Sequence, residues 1–370
     1  MVKSIYRPTK ITIDTRAIRK NLRTVSQRIS KNQALFAVVK ANGYGHGAVQ
    51  IAKIAEDEGV DGFCVATIDE GIELREAGIT LPILVLGLVE VSTLPVVSEY
   101  QLSIPVATTE WLDLAIQEYQ RNPWKQPVAV HVALDTGMGR IGFLTSAELH
   151  HAYQRLQAPA FLFEGIFTHF ATADQADTSY WLEQKEKFFA MIETLPEQPR
   201  YVHVTNSATL IWHEPLGNMV RYGVAMYGLN PSSDALDPAY PLVPALSLSS
   251  KLMQVKKLPV GSGVGYGHTY ETTADEWIGT IPIGYADGYV RKLQGFHVLI
   301  EGEFCKIVGR VCMDQLMVRL PHEMPVGTRV TLVGVDGQNQ ITLQDMASYI
   351  GTIHYEVACL FSERVPRVYE

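Results

Sequence analysis

A chain of 370 residues is longer than one hydrophobic core ordinarily organises, so two domains are the natural expectation. Hydrophobic residues at 47% and charged ones at 19% exclude a disordered chain. The formal charge of −8, with no cluster of Lys and Arg, argues against nucleic acid or an anionic membrane surface as a partner.

The opening segment, MVKSIYRPTKITID, has no apolar leader region, and no later stretch approaches a membrane span. A soluble, cytoplasmic protein is expected. The first predicted elements are a strand at 11–14 and a helix carrying Ile18, Leu22, Val25 and Ile29 at helical spacing, with Asp14 as its N-cap. An alternation follows. Apolar runs rich in β-branched residues fall at 34–40, 62–66, 83–87, 102–107, 128–134, 163–169, 201–206 and 220–228. Between most of them lie helical patterns at 47–58, 69–77, 109–120, 146–157 and 179–194, while the segment after 83–87 reads only weakly as a helix. Strands alternating with helices in this way predict a (β/α)8 TIM-type barrel.

The character changes at 232–244, a Pro-, Ser- and Asp-rich stretch that reads as a linker. Beyond it, strand-like runs are separated by Gly- and Asp-containing turns, with one short helix predicted around 343–350. The expected organisation is a barrel over 1–240 and a mainly β domain over 241–370, with residues 1–13 as a candidate addition to the second. Cys64, Cys305, Cys312 and Cys359 show no metal-ligand spacing and no disulfide framework, so reduced thiols and no metal site are expected.

Active sites of such barrels form at the C-terminal ends of the strands. Polar residues recur there: Lys40 after the first strand, Arg140 after the fifth, His169 at the end of the sixth, Asn206 and Ser207 after the seventh, and Arg221 within the eighth. A lone Val-Val-Lys is most simply a strand-end lysine reaching solvent. Convergence of several such residues on one rim favours chemistry instead, because a lysine in apolar surroundings loses charge stabilisation and offers a neutral amine.

The segment AVVKANGYGHGA (37–48) resembles the cofactor-lysine motif of alanine racemases. The resemblance continues in order through DTGMGRIGF (135–143), EGIFTHFATAD (164–174), HVTNSATL (203–210), VRYGVAMYGLNP (220–231), GVGYGHTY (263–270), IPIGYADGY (281–289), GRVCMDQ (309–315) and TIHYEVAC (352–359). It implies a pyridoxal 5'-phosphate enzyme that interconverts L- and D-alanine and supplies D-alanine for peptidoglycan. By this resemblance Lys40 carries the cofactor as an aldimine and acts as one acid/base group, and Tyr266 of a second subunit in a homodimer acts as the other. His169, Arg221 and His203 support that tyrosine in turn, and Arg221 faces the cofactor's ring nitrogen.

The resemblance further assigns Tyr44, Ser207, Gly223, Val224 and Tyr355 to the phosphate, with Asn206 beside Ser207. Arg140 falls to the ring hydroxyl and the substrate side, and Tyr285 and Met313 of the second subunit to the substrate end. One position departs from the pattern. Where the family often carries a lysine that becomes carbamylated, this chain has Ala133; a bound anion beside a buried Arg140 is the expected substitute. A fold-related amino-acid decarboxylase, or a racemase of broader specificity, is the alternative. The decarboxylase should lack the Tyr266 motif, and a single-barrel cofactor carrier would lack residues 245–370.

Overall fold

Runs such as Phe63–Val65 and Ile83–Val85 bury every side chain, which is what a parallel strand covered on both faces requires. The computed structural model describes residues 2–370 and divides them into two units. One comprises Ile18–Gly43 and Ala48–Val243; the other joins the N-terminal residues through Ala17 to Tyr44–Gly47 and Pro244–Glu370.

Strand β1 (Lys10–Ile13) opens the chain. The first-named unit then contains β2 (Ala34–Val38), β3 (Gly62–Val65), β4 (Ile83–Val85), β5 (Ile104–Val106), β6 (Val128–Ala133), β7 (Phe161–Phe167), β8 (Tyr201–His203) and β9 (Met219–Tyr222). All neighbours pair in parallel, in the orders β4-β3-β2-β9 and β5-β6-β7-β8. Parallel bridges Leu84↔Ser103 and Thr205↔Val220 close the two arcs into one eight-stranded ring. Closure leaves no free sheet edge, so the predicted barrel is present.

The helices between strands start where the sequence supplies caps. Thr67 and Glu70, and Thr145 and Glu148, form reciprocal capping boxes, and Thr108 accepts from the amide of Trp111. Each cap satisfies amides that the helix cannot. The weak region after β4 becomes a 3-10 turn (Val91–Thr93) and a six-residue helix (Leu94–Glu99) with a proline in its first turn. One element differs from expectation. The strand predicted over 220–228 ends at Tyr222, and Val224–Tyr227 is a 3-10 turn closed by left-handed Gly228 (φ 79°). Both conformations bury apolar residues completely here, so hydrophobicity could not tell them apart.

In the other unit, β1 pairs antiparallel with Leu246–Lys251 and parallel with Arg367–Tyr369. Strands from opposite ends of the chain thus lie side by side in a ten-stranded sheet. The expected helix is Leu343–Ile350, and a second, His354–Leu360, follows it. Asp287, fully buried, is held by Arg7 at 2.5 Å and Arg364 at 3.2 Å, which supplies the countercharge a buried carboxylate needs. Gly45 (φ 77°) approaches so closely that an added Cβ would overlap the Ala358 carbonyl oxygen. Among the described residues no helix is long and apolar enough to cross a membrane.

Candidate active site

Within the barrel, each strand end contributes what its loop allows. After β2 the chain passes Val39 to Lys40, which is half-buried. It then turns left-handed through Ala41, Asn42, Gly43 and Tyr44, with φ of 53°, 52°, 60° and 51°. That conformation costs an L-residue about 1–2 kcal/mol, so neighbouring groups must hold it. The Gly43 amide donates to Val39 O at 2.7 Å, the Ala41 amide to Glu70 Oε1 at 2.7 Å, and the Ala48 amide to Asn42 Oδ1 at 2.9 Å.

Arg221, on β9, is 5% exposed. Its Nη1 donates to His203 Nδ1 at 2.6 Å and to His203 O at 2.8 Å. Its Nη2 donates to Thr168 O at 3.1 Å and reaches His169 Nδ1 at 3.4 Å. Among the described residues no hydrogen bond engages Nε. Burial pulls the guanidinium down to about 10, so it remains a cation at neutral pH. His203 in turn meets His131 Nδ1 through Nε2 at 2.7 Å, and His131 Nε2 meets Glu164 Oε2 at 3.1 Å. The sequence reading passed over His131 and Glu164. Their one signal was a polar residue inside an otherwise apolar strand.

These rings stay uncharged. Burial, then the Arg221 charge and those of Arg140 and Lys40, lower His169 to about 3. Burial also depresses His203 well below its ordinary value, and lowers His131 despite the Glu164 carboxylate. An unfolded imidazole titrates near 6.5. As the pH falls below about 6.5, the unfolded chain therefore binds protons that the folded barrel refuses. Stability present above that pH should be lost on acidification, already between about pH 6.5 and about pH 5, before carboxylates titrate. Thermal melts across this window should show a falling midpoint; a flat profile would contradict neutral buried rings.

Ser207 and its neighbours form a second cluster. Asn206 caps the helix Ser207–Trp212, its side chain accepting from the Thr209 amide. Ser207 Oγ accepts from the amides of Gly223 at 3.0 Å and Ala225 at 3.4 Å. Asn206, Ser207, Gly223 and Val224, far apart in sequence, are therefore neighbours.

Arg140 acts on the Arg221 group from the rim, its charge helping to lower both His169 and Arg221. It is exposed on the loop after β6, shaped by Asp135 Oδ1 accepting from the amides of Gly137 and Gly139 at 3.0 Å each. The expectation of an anion beside it assumed a buried guanidinium. In the single chain the guanidinium is exposed, and an anion beside it would be called for where the second subunit and the cofactor bury it. Ala133 is buried with Ala107 and Phe167, and Ile141 packs against them.

The second unit carries the remaining residues. Tyr266 is 69% exposed on a turn fixed by left-handed Gly265 and Gly267 (φ 75° and 74°). Tyr285 and Met313, also exposed, are brought together by backbone bonds from the Tyr285 amide to Cys312 O and the Ala286 amide to Met313 O. Buried Tyr44 lies 6.3 Å from Tyr355, ring centre to ring centre.

Comparison with known proteins covers both units. The model for the alanine racemase N-terminal domain matches residues 13–231, and that for the C-terminal domain matches 245–369. The alanine racemase of Lactiplantibacillus plantarum is 57% identical over 98% of each chain. The crystal structure of alanine racemase from E. faecalis superposes with a TM-score of 0.96 at 57% identity, covering 100% of both chains. A histidine racemase from Leuconostoc mesenteroides subsp. sake superposes with a TM-score of 0.93 at 31% identity, covering 100% of this chain and 99% of its own.

Proposed function

The chain belongs to the alanine racemase family, and on that premise we propose that it interconverts L- and D-alanine with pyridoxal 5'-phosphate, supplying D-alanine for peptidoglycan in the cytoplasm. The observation that carries this reading is Arg221: a buried cation whose Nη atoms are taken by neutral acceptors while Nε remains for a ligand. The residues present fit the cofactor. Lys40 offers an amine close enough for its charge to act on His169. Ser207 with the Gly223 and Val224 backbone offers hydroxyl and amide groups to a phosphate, to which Asn206, Tyr44 and Tyr355 are further candidates.

When bound, the cofactor withdraws electrons from the substrate's Cα and so acidifies its proton. Everything else falls to the chain. Arg221 would donate to the ring nitrogen without surrendering its own proton, which would leave that nitrogen unprotonated and favour return of the proton to Cα. Racemisation removes a proton from one face and returns one to the other, so two groups must flank Cα. Lys40 Nζ serves one face. The Tyr266 hydroxyl, supplied by the second subunit of a homodimer, serves the other, with His169, His203 and Arg221 as its neutral and cationic support. Arg140 would orient ring and carboxylate, and Tyr285 with Met313, supplied by the second subunit, would shape the substrate end.

The histidine racemase likeness favours one rival, a broader substrate range. The purified enzyme, incubated separately with L-alanine and L-histidine and followed by chiral chromatography, should bring alanine to an equal mixture and leave histidine essentially unchanged. Racemised histidine with untouched alanine, or loss of carbon dioxide from either, would overturn the assignment.

A further inference from the structure

Every proton in the chain of contacts behind Arg221 can be assigned. A guanidinium only donates, so His203 Nδ1, 2.6 Å from Arg221 Nη1, must be a bare acceptor. The neutral ring then carries its proton on Nε2 and donates it to His131 Nδ1 at 2.7 Å. His131 is bare at Nδ1 for the same reason and donates from Nε2 to Glu164 Oε2 at 3.1 Å. A carboxylate only accepts, and the Ser103 hydroxyl donates to the same oxygen at 2.6 Å. One end of the series can only give and the other can only receive, so all its hydrogen bonds point one way.

The backbone is built around that far end. The β6–β7 ladder pairs Val130 with Phe163 but His131 with Gly165, leaving Glu164 as an extra residue in the strand. Such a bulge re-aims a side chain, and here it accompanies a carboxylate turned onto the His131 ring. Gly165 leaves room for that ring, since an added Cβ would overlap His131 Nδ1. Tyr201 stacks near His131 and Phe167 on His203, at 6.0 and 4.9 Å between ring centres. Glu164 is 13% exposed and His131 1%.

We propose that Glu164 is a positioning residue, the anionic terminus of a one-way donor series Arg221→His203→His131→Glu164 that fixes both imidazole tautomers and compensates the buried Arg221 cation from two rings away. The separation has a purpose. A carboxylate directly on Arg221 would neutralise the positive charge that the guanidinium presents to a ligand and compete for its donors. A charge relayed through two neutral rings stabilises the cation while leaving its remaining donor free. The inference deepens the racemase reading and rests on it for the importance of Arg221, but the proton assignments stand on geometry alone. The sequence offered no route to it, because His131 and Glu164 lie on different strands and only the bulge brings them together.

The test uses the cofactor-loaded enzyme with 15N-labelled histidine. In long-range proton–nitrogen spectra near neutral pH, His131 and His203 should both be neutral and protonated on Nε2. Glu164→Leu should lower kcat about tenfold, the equivalent of one unmatched buried hydrogen bond, with KM within about twofold. It should also remove the protected His131 Nε2–H signal. Glu164→Gln keeps an acceptor without the charge and should recover the signal and most of the loss, remaining about threefold below the parent. An Nδ1–H tautomer on either ring of the parent enzyme, or an unchanged kcat in Glu164→Leu, would overturn the proposal. If the leucine variant does not fold, parental kcat in Glu164→Gln overturns the role of the anion. Failure of the racemase reading is separable: the parent would then lack alanine racemisation whatever its histidine spectrum shows.

Discussion

Replacing Lys40 by alanine is expected to lower kcat for alanine racemisation by roughly 10⁴-fold or more and to abolish the visible absorption of a lysine-bound cofactor. Two losses combine: the covalent anchor and the proton-transferring amine on one face of Cα. The fold should survive, because Lys40 is half-buried at a strand end and a methyl group creates no cavity in the barrel core. Its placement also argues for chemistry over packing. The left-handed residues Ala41 to Tyr44 are strained, and such strain persists where surrounding groups over-determine it, often at functional sites. A variant that folds as the parent does, keeps the absorption band and racemises at the parental rate would remove Lys40 from the mechanism. Absorbance, thermal melting and turnover measured on one preparation separate loss of anchor from loss of fold.

The barrel was legible because parallel strands covered on both faces read as unbroken apolar runs with helical patterns between most of them; the caps at Thr67, Thr108 and Thr145 emerged only with the structure. The rim residues were legible for a related reason: Lys40, His169 and Arg221 interrupt or terminate those runs. What escaped was whatever depends on pairing or backbone sign. Apart from Arg221, the run 220–228 is apolar, aromatic or small throughout, and nothing in it told β9 from the 3-10 turn after it. The glycines at 43, 45 and 47 are compatible with a tight turn, but Ala41, Asn42 and Tyr44 also adopt positive φ, which L-residues disfavour, so local preference argues against the observed path. Tyr44–Gly47 divides with the second unit through contacts to residues some three hundred positions away, such as the Tyr369 hydroxyl donating to His46 O. Arg140 lies on a loop, and its exposure in the single chain has no signature in the local sequence. His131 and Glu164 needed a register shift that no single strand encodes.

Tyr266→Phe should leave stability nearly unchanged, since the ring is 69% exposed and loses only a hydroxyl, yet slow racemisation by roughly 10²–10⁴-fold. The two directions must slow by the same factor, because enantiomers have equal free energy and the equilibrium constant remains one. Isotope exchange breaks that symmetry. In deuterium oxide the variant should still exchange the α-hydrogen of one enantiomer, whose proton faces Lys40, and return it without inversion. The other enantiomer should barely exchange. A single base serving both faces predicts instead that inversion persists when the hydroxyl is gone, so racemisation near the parental rate would refute the two-group mechanism. The origin of the tyrosine can be read from the same variants. In a hybrid of Lys40→Ala and Tyr266→Phe subunits, crossed contributions pair a native lysine with a native tyrosine in one of the two sites, whereas contributions from within one chain pair them in neither. Equimolar reassembly from two inactive preparations should therefore recover about a quarter of the parental activity if a closed dimer shares its sites, and none if each chain completes its own.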